Sequence, residues 1–166
     1  DIIDKPVATK LESPWLGRLV AGRLQSLLGR HPDAKGKLTS ALEVSIFATN
    51  AAYGLELAAF GTTPEDLVAA RRALDVAQRK HGGAFAEALL AVGRLDLADA
   101  HELGKTPEKL GDAAKGYAKA ADAFQAVTGK AADTPNPDLQ KQVKALEAEA
   151  RFYGVVALAM IPESAA

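Results

Sequence analysis

Residues 39–61 read TSALEVSIFATNAAYGLELAAFG, and Glu43 and Glu56 are the only charges among them. Leu42, Ile46, Tyr53, Leu57 and Phe60 recur at steps of three, four or seven, the spacing that places side chains on one stripe of an α-helix. The polar remainder is too sparse to cover the rest of the cylinder. A helix over Thr39–Gly61 enclosed on more than one side is therefore expected, with the other helices gathered round it. Ser40-Ala41-Leu42-Glu43 offers a capping box at its start, and Gly61 offers its end.

Working outward, the same grammar recurs. Ser13-Pro14 opens a helix in which Leu16, Val20, Leu24 and Leu27 share a face and Arg18, Arg23 and Arg30 lie off it. Such a basic amphipathic helix either covers a core or lies on a membrane surface; the covering role is the simpler one. Pro32 reads as its stop, and Asp33–Lys37 as a connection. Thr63-Pro64-Glu65-Asp66 starts a third helix with Leu67, Leu74, Ala77, His81, Phe85 and Leu89 inward. Gly82-Gly83 marks a break or a close backbone approach, because two glycines cost about 2 kcal/mol inside a helix relative to alanine. Gly93 reads as a second weak point, followed by a short crossover ending at Gly104. Thr106-Pro107-Glu108 begins a helix with Leu110, Ala114, Tyr117, Ala121, Phe124 and Val127 on one face. Asn136-Pro137-Asp138 begins the last, with Leu139, Val143, Leu146, Ala150, Tyr153 and Ala157 as its seam. Strand alternation is missing apart from EVSI, so the fold class is all-α: one helical domain over 13–166, its bundle core about 37–160, preceded by an extended arm over 1–12.

Composition bounds the function. The chain has 166 residues, net charge −1 and no cysteine. A near-neutral balance argues against nucleic-acid binding. The absence of cysteine removes disulfides, thiolate metal sites and cysteine nucleophiles. The longest charge-free apolar runs fall short of the ~20 residues that cross a bilayer. Neither a GxSxG turn nor a phosphate-cradling glycine loop occurs. The start at Asp1 without methionine, with a polar irregular opening, reads as that of a mature exported protein. An extracytoplasmic location is expected, the cytoplasm being the alternative.

Polar residues on core stripes are the candidate site. Asn50, Gln78 and His81 fall among apolar neighbours, and Glu149 flanks the last seam. Buried polar groups need partners, so these residues either satisfy one another or bind something.

The stretch LTSALEVSIFATNAAYGLELAAF resembles the first bundle helix of exported ferritin-like, desiccation-related proteins. ALDVAQRKHGGAFAEALLAVG and ALEAEARFYGVVALAM resemble their second and fourth helices. That family builds a two-metal site from paired glutamates and two Glu-x-x-His tetrads. Here Gln78-Arg79-Lys80-His81 and Glu149-Ala150-Arg151-Phe152 stand in the tetrad positions, so one glutamate and one histidine are replaced. The resemblance implies a ferritin-like four-helix bundle with an added N-terminal helix and a crossover, and no intact diiron oxidase centre. It implies a non-catalytic, exported structural or interaction protein, stress-related, without a cofactor and with a protein partner or homo-oligomer. The alternative it leaves is a metal-binding protein or oxidase with a rearranged site. Glu43, His81 and Glu149, with Gln78 as a fourth ligand, would there hold one Fe, Mn or Zn ion.

Overall fold

A computed structural model describes residues 13–81, 85–130 and 137–161. Among them lie seven α-helices and one 3-10 turn: α1 (Pro14–Leu27), α2 (His31–Ala41), α3 (Phe47–Phe60), α4 (Pro64–His81), α5 (Ala86–Gly104), the turn Pro107–Lys109, α6 (Leu110–Lys130) and α7 (Pro137–Ala159). No strand occurs among the described residues, so the chain is all-α. The arm over 1–12, Gly82-Gly83, the Asn136 cap and the tail after Pro162 lie outside them. The chain forms two compact units, Asp1–Ala88 and Leu89–Ala166.

In the first unit the principal packing pairs are α1 with α2 and α3 with α4, joined by α2 on α3. The helix expected from Thr39 begins at Phe47 instead. Ser40 lies inside α2, where its hydroxyl donates to the Gly36 carbonyl at 3.0 Å, so the Ser40–Glu43 capping box does not form. Thr49 Oγ1 takes over the cap: it accepts the Ile46 N–H at 3.2 Å and lies 2.7 Å from the Val44 carbonyl as donor. Pro32 does not stop a helix either; it sits in the first turn of α2, where its missing N–H costs nothing. The stop is Gly29, at φ 72°, which places the Arg30 N–H on Gln25 O and the Gly29 N–H on Ser26 O, both 2.9 Å. That pair of bonds is a Schellman ending, and it needs a residue tolerant of the left-handed region.

α3 is enclosed as expected. Thr49, Asn50, Ala51 and Ala52 are buried in succession, and four consecutive residues sweep most of a helical turn. α1 departs from its stripe. Its buried residues are Gly17, Ala21, Gly22 and Gln25, whereas Val20, Leu24 and Leu27 are exposed. The reason is close approach: a Cβ on Gly22 would sit 2.7 Å from the Leu38 side chain of α2. The small-residue face wins because it lets the two backbones pack tightly.

In the second unit the expected stripe of α6 is the core. Leu110, Ala114, Tyr117, Ala121, Phe124 and Val127 are all buried, with Val143, Ala150 and Ala157 of α7 and Leu97 and Ala100 of α5 against them. Gly93 is no weak point. α5 runs through it unbroken, and a Cβ there would meet the Phe124 ring at 2.7 Å. The glycine is the recess that seats Phe124, the largest fully buried side chain among the described residues.

Candidate functional site

The polar residues singled out from the sequence each find a separate setting. Glu43 is exposed and lies 2.5 Å from the Arg18 guanidinium of α1. Asn50 is buried and donates to Ser45 Oγ at 3.0 Å and to the Ile46 carbonyl at 2.7 Å, within its own N-terminal turn. Gln78 is half-buried. His81, the last residue of α4, is exposed; its ring lies beside Phe47 and Phe85, with centroids at 5.1 and 5.6 Å. Glu149, in the second unit, lies 3.4 Å from His101 Nε2. Among the described residues, no group of three histidine, aspartate or glutamate side chains gathers closely enough to hold a metal ion.

A site that sequence reasoning missed lies in the first unit, around Glu56. This carboxylate is only 6% exposed, and a buried charge needs donors on its oxygens. It has them from two other helices. Ser26 Oγ donates to Oε2 at 2.5 Å, and His31 Nδ1 meets Oε1 at 3.0 Å. The Gly29 turn brings Ser26, near the end of α1, and His31, at the start of α2, to the same carboxylate. The His31 ring stacks on Phe60, centroids 3.6 Å apart and planes 16° from parallel. One turn along α2, Lys35 donates to Asp66 at 2.5 Å. Asp66 is placed by Thr63, whose hydroxyl accepts its N–H at 3.1 Å at the start of α4. The Lys35 hydrogen bond holds the Asp66 carboxyl below the usual aspartate value, and the same bond raises Lys35. A cavity of about 440 Å³ opens between these residues, lined also by Pro32, Leu57 and Thr62.

The chemistry of this arrangement is limited by its order. Ser26 gives its proton to Glu56 rather than to His31, so the serine-to-histidine proton transfer of a Ser-His-Asp triad is not set up here. An ionised carboxylate accepts only, so Nδ1 of His31 carries a proton and Nε2 remains for other use. The signal in the sequence was Glu56 itself, a charge within an otherwise apolar helix. Its partners are 30 and 25 residues away, and no local spacing reveals them.

The second unit carries a Tyr117–His101–Glu149 chain of polar contacts and an apolar face. Tyr117 Oη lies 2.9 Å from His101 Nδ1, whose other nitrogen faces Glu149, and the Tyr153 ring packs edge-on to His101. Burial pushes the Tyr117 hydroxyl above its usual value, with Tyr153 and Glu149 adding to it. Alongside, α6 and α7 form a trough of about 320 Å³ floored by Ala114, Ala118, Ala121, Ala150 and Gly154. On its α7 side stand Val155 and Leu158, 67% and 60% exposed. Asp122 of α6 and Arg151 of α7 line it as well. Arg151 bonds Glu147 and Gln125 at 2.9 and 3.1 Å.

No protein-family model, curated protein or solved structure matches this chain. No helix among the described residues is long and apolar enough to cross a membrane.

Proposed function

We propose that this protein works by binding protein rather than by catalysis, and that the occupant of its α6–α7 face is a second copy of the chain. The observation that carries the reading is the composition of that face: a trough of alanine and glycine beside a ridge of exposed Val155 and Leu158. In a two-fold interface the same patch meets itself, so residue i contacts j and j contacts i. A ridge and a trough on one face satisfy that condition. Small residues let the helices approach, and large ones fill the space. Charge fits too, since Asp122 and Arg151 on the two helices become cross-subunit partners under the same symmetry. Arg151, Val155 and Leu158 share one side of α7 at steps of four and three.

The ferritin-like arrangement, the stress-related role and the extracytoplasmic location belong to the proposal on the strength of the sequence resemblance. Sedimentation equilibrium of the full chain tests it. A dimer is expected, and Leu158→Asp is expected to yield a folded monomer with an unchanged helical circular-dichroism spectrum. A wild-type chain that stays monomeric at high micromolar concentration contradicts the reading.

A further inference from the structure

The cavity between α2, α3 and the start of α4 has a composition that selects a ligand class. Its apolar wall is Pro32, Leu57 and Phe60, the last 48% exposed. Its polar wall holds Glu56, Asp66, Lys35, His31 and the Thr62 hydroxyl. With His31 counted neutral, two carboxylates against one ammonium leave one net negative charge. Lys35 is engaged by Asp66, and Glu56 receives Ser26 and His31. Asp66 is taken up by Lys35 and by the backbone N–H groups of Thr62 and Thr63, so what the wall retains is acceptor capacity at the free lone pairs of Glu56, the Thr62 hydroxyl and His31 Nε2.

We propose that this cavity binds a primary ammonium group carrying an aromatic or apolar body. An ammonium brings three donors and no acceptor, which matches a wall rich in acceptors. Its positive charge offsets the residual negative one, and the buried setting of Glu56 keeps water from screening that attraction. Phe60 and Leu57 take the body, and an aromatic ring near a cation adds cation–π attraction. An anion of the same shape meets the opposite balance, because the cation that would receive it is already bound to Asp66. A neutral alcohol keeps the apolar contacts and loses the charge. This site lies in the first compact unit and is independent of the self-association proposed for the second.

The experiment is a titration of the full chain with 2-phenylethylamine, 2-phenylethanol and 3-phenylpropionate, followed by amide shifts in two-dimensional NMR. The amine is expected to bind, moving the amides of Phe60, Gly61 and Thr62, with the alcohol at least about tenfold weaker and the carboxylate silent. Equal binding of all three, or binding of the carboxylate alone, overturns the proposal, as does an amine that moves no amide near the cavity. Lys35→Met supplies the sign. It removes a positive charge from the wall, so the amine is expected to bind several-fold more tightly, whereas a site built for anions loses its ligand. Asp66→Asn is expected to weaken the amine about tenfold. Because Asp66 also serves the start of α4, its helical content is checked by circular dichroism. Lys35→Met, at a side chain 44% exposed, remains decisive if that variant unfolds.

Discussion

Replacing Gly54 with alanine sets two helix effects against each other, and the structure decides which wins. In the middle of α3, alanine gains about 1 kcal/mol over glycine from backbone entropy. A Cβ at Gly54, however, would lie 2.8 Å from Leu74 Cγ and 3.0 Å from the Leu74 backbone nitrogen on α4. Leu74 is fully buried, so its side chain has nowhere to turn, and the backbone contact is relieved only by moving α4. Overpacking of this kind costs about 1–3 kcal/mol. The net expectation is a loss of about 1 kcal/mol, or a fall in melting temperature of about 4–8 °C for a unit of this size. Gly36 provides the control. It lies inside α2 in the same unit, exposed, with nothing within 4 Å of its would-be Cβ. Gly36→Ala should therefore stabilise, by about 0.5–1 kcal/mol. Thermal unfolding followed by circular dichroism reads both. A Gly54→Ala protein as stable as wild type, or two substitutions that shift the melting temperature the same way, refutes the argument from close packing.

Two further expectations follow from shifted protons. Asp66 is held below its ordinary value of 3.8, so its contribution is present above that value and lost as pH falls through the depressed one. Lys35 is raised above 10.5, so its contribution is present below that value and lost as pH rises through the raised one. Melting curves of wild type and Lys35→Met should differ most between about pH 4 and 10 and converge at both extremes; parallel curves contradict the pairing. Tyr117 is raised above 10.0, so the native state keeps its proton longer than the unfolded chain and loses stability as pH rises past 10. Tyr117→Phe should remove the latest part of the phenolate absorbance rise at 295 nm, and an unchanged titration rules out its burial beside Glu149.

Local signals in the sequence suffice where a helix start depends only on neighbours. Ser13-Pro14, Thr63-Pro64 and Thr106-Pro107 each precede a helical segment, and the α6 stripe is buried residue for residue. The failures share a cause. Pro32 is compatible with both the end of one helix and the first turn of the next, and only the left-handed Gly29 before it distinguishes them. Gly93 looks like a weak point because the side chain it accommodates, Phe124, lies on another helix. The α1 leucine stripe is apolar and periodic, yet the tighter packing of Gly17, Ala21 and Gly22 takes the buried side. Glu56 stands out as a charge in an apolar helix, but its partners Ser26 and His31 reach it only through the fold. Periodicity reports which face could be buried; it does not report what a partner helix brings to it.

The central claim is self-association through the α6–α7 face, and a charge exchange at Asp122 and Arg151 tests it most directly. Asp122→Arg places two arginines opposite each other across a two-fold interface, and Arg151→Asp places two aspartates there. Each variant alone should sediment as a monomer, because like charges in contact disfavour association. Mixed in equal amounts, they should recover a dimer containing one copy of each, since both cross-subunit pairs are then of opposite sign. Two variants that dimerise alone, or a mixture that stays monomeric while the wild type dimerises, would contradict this arrangement of the interface.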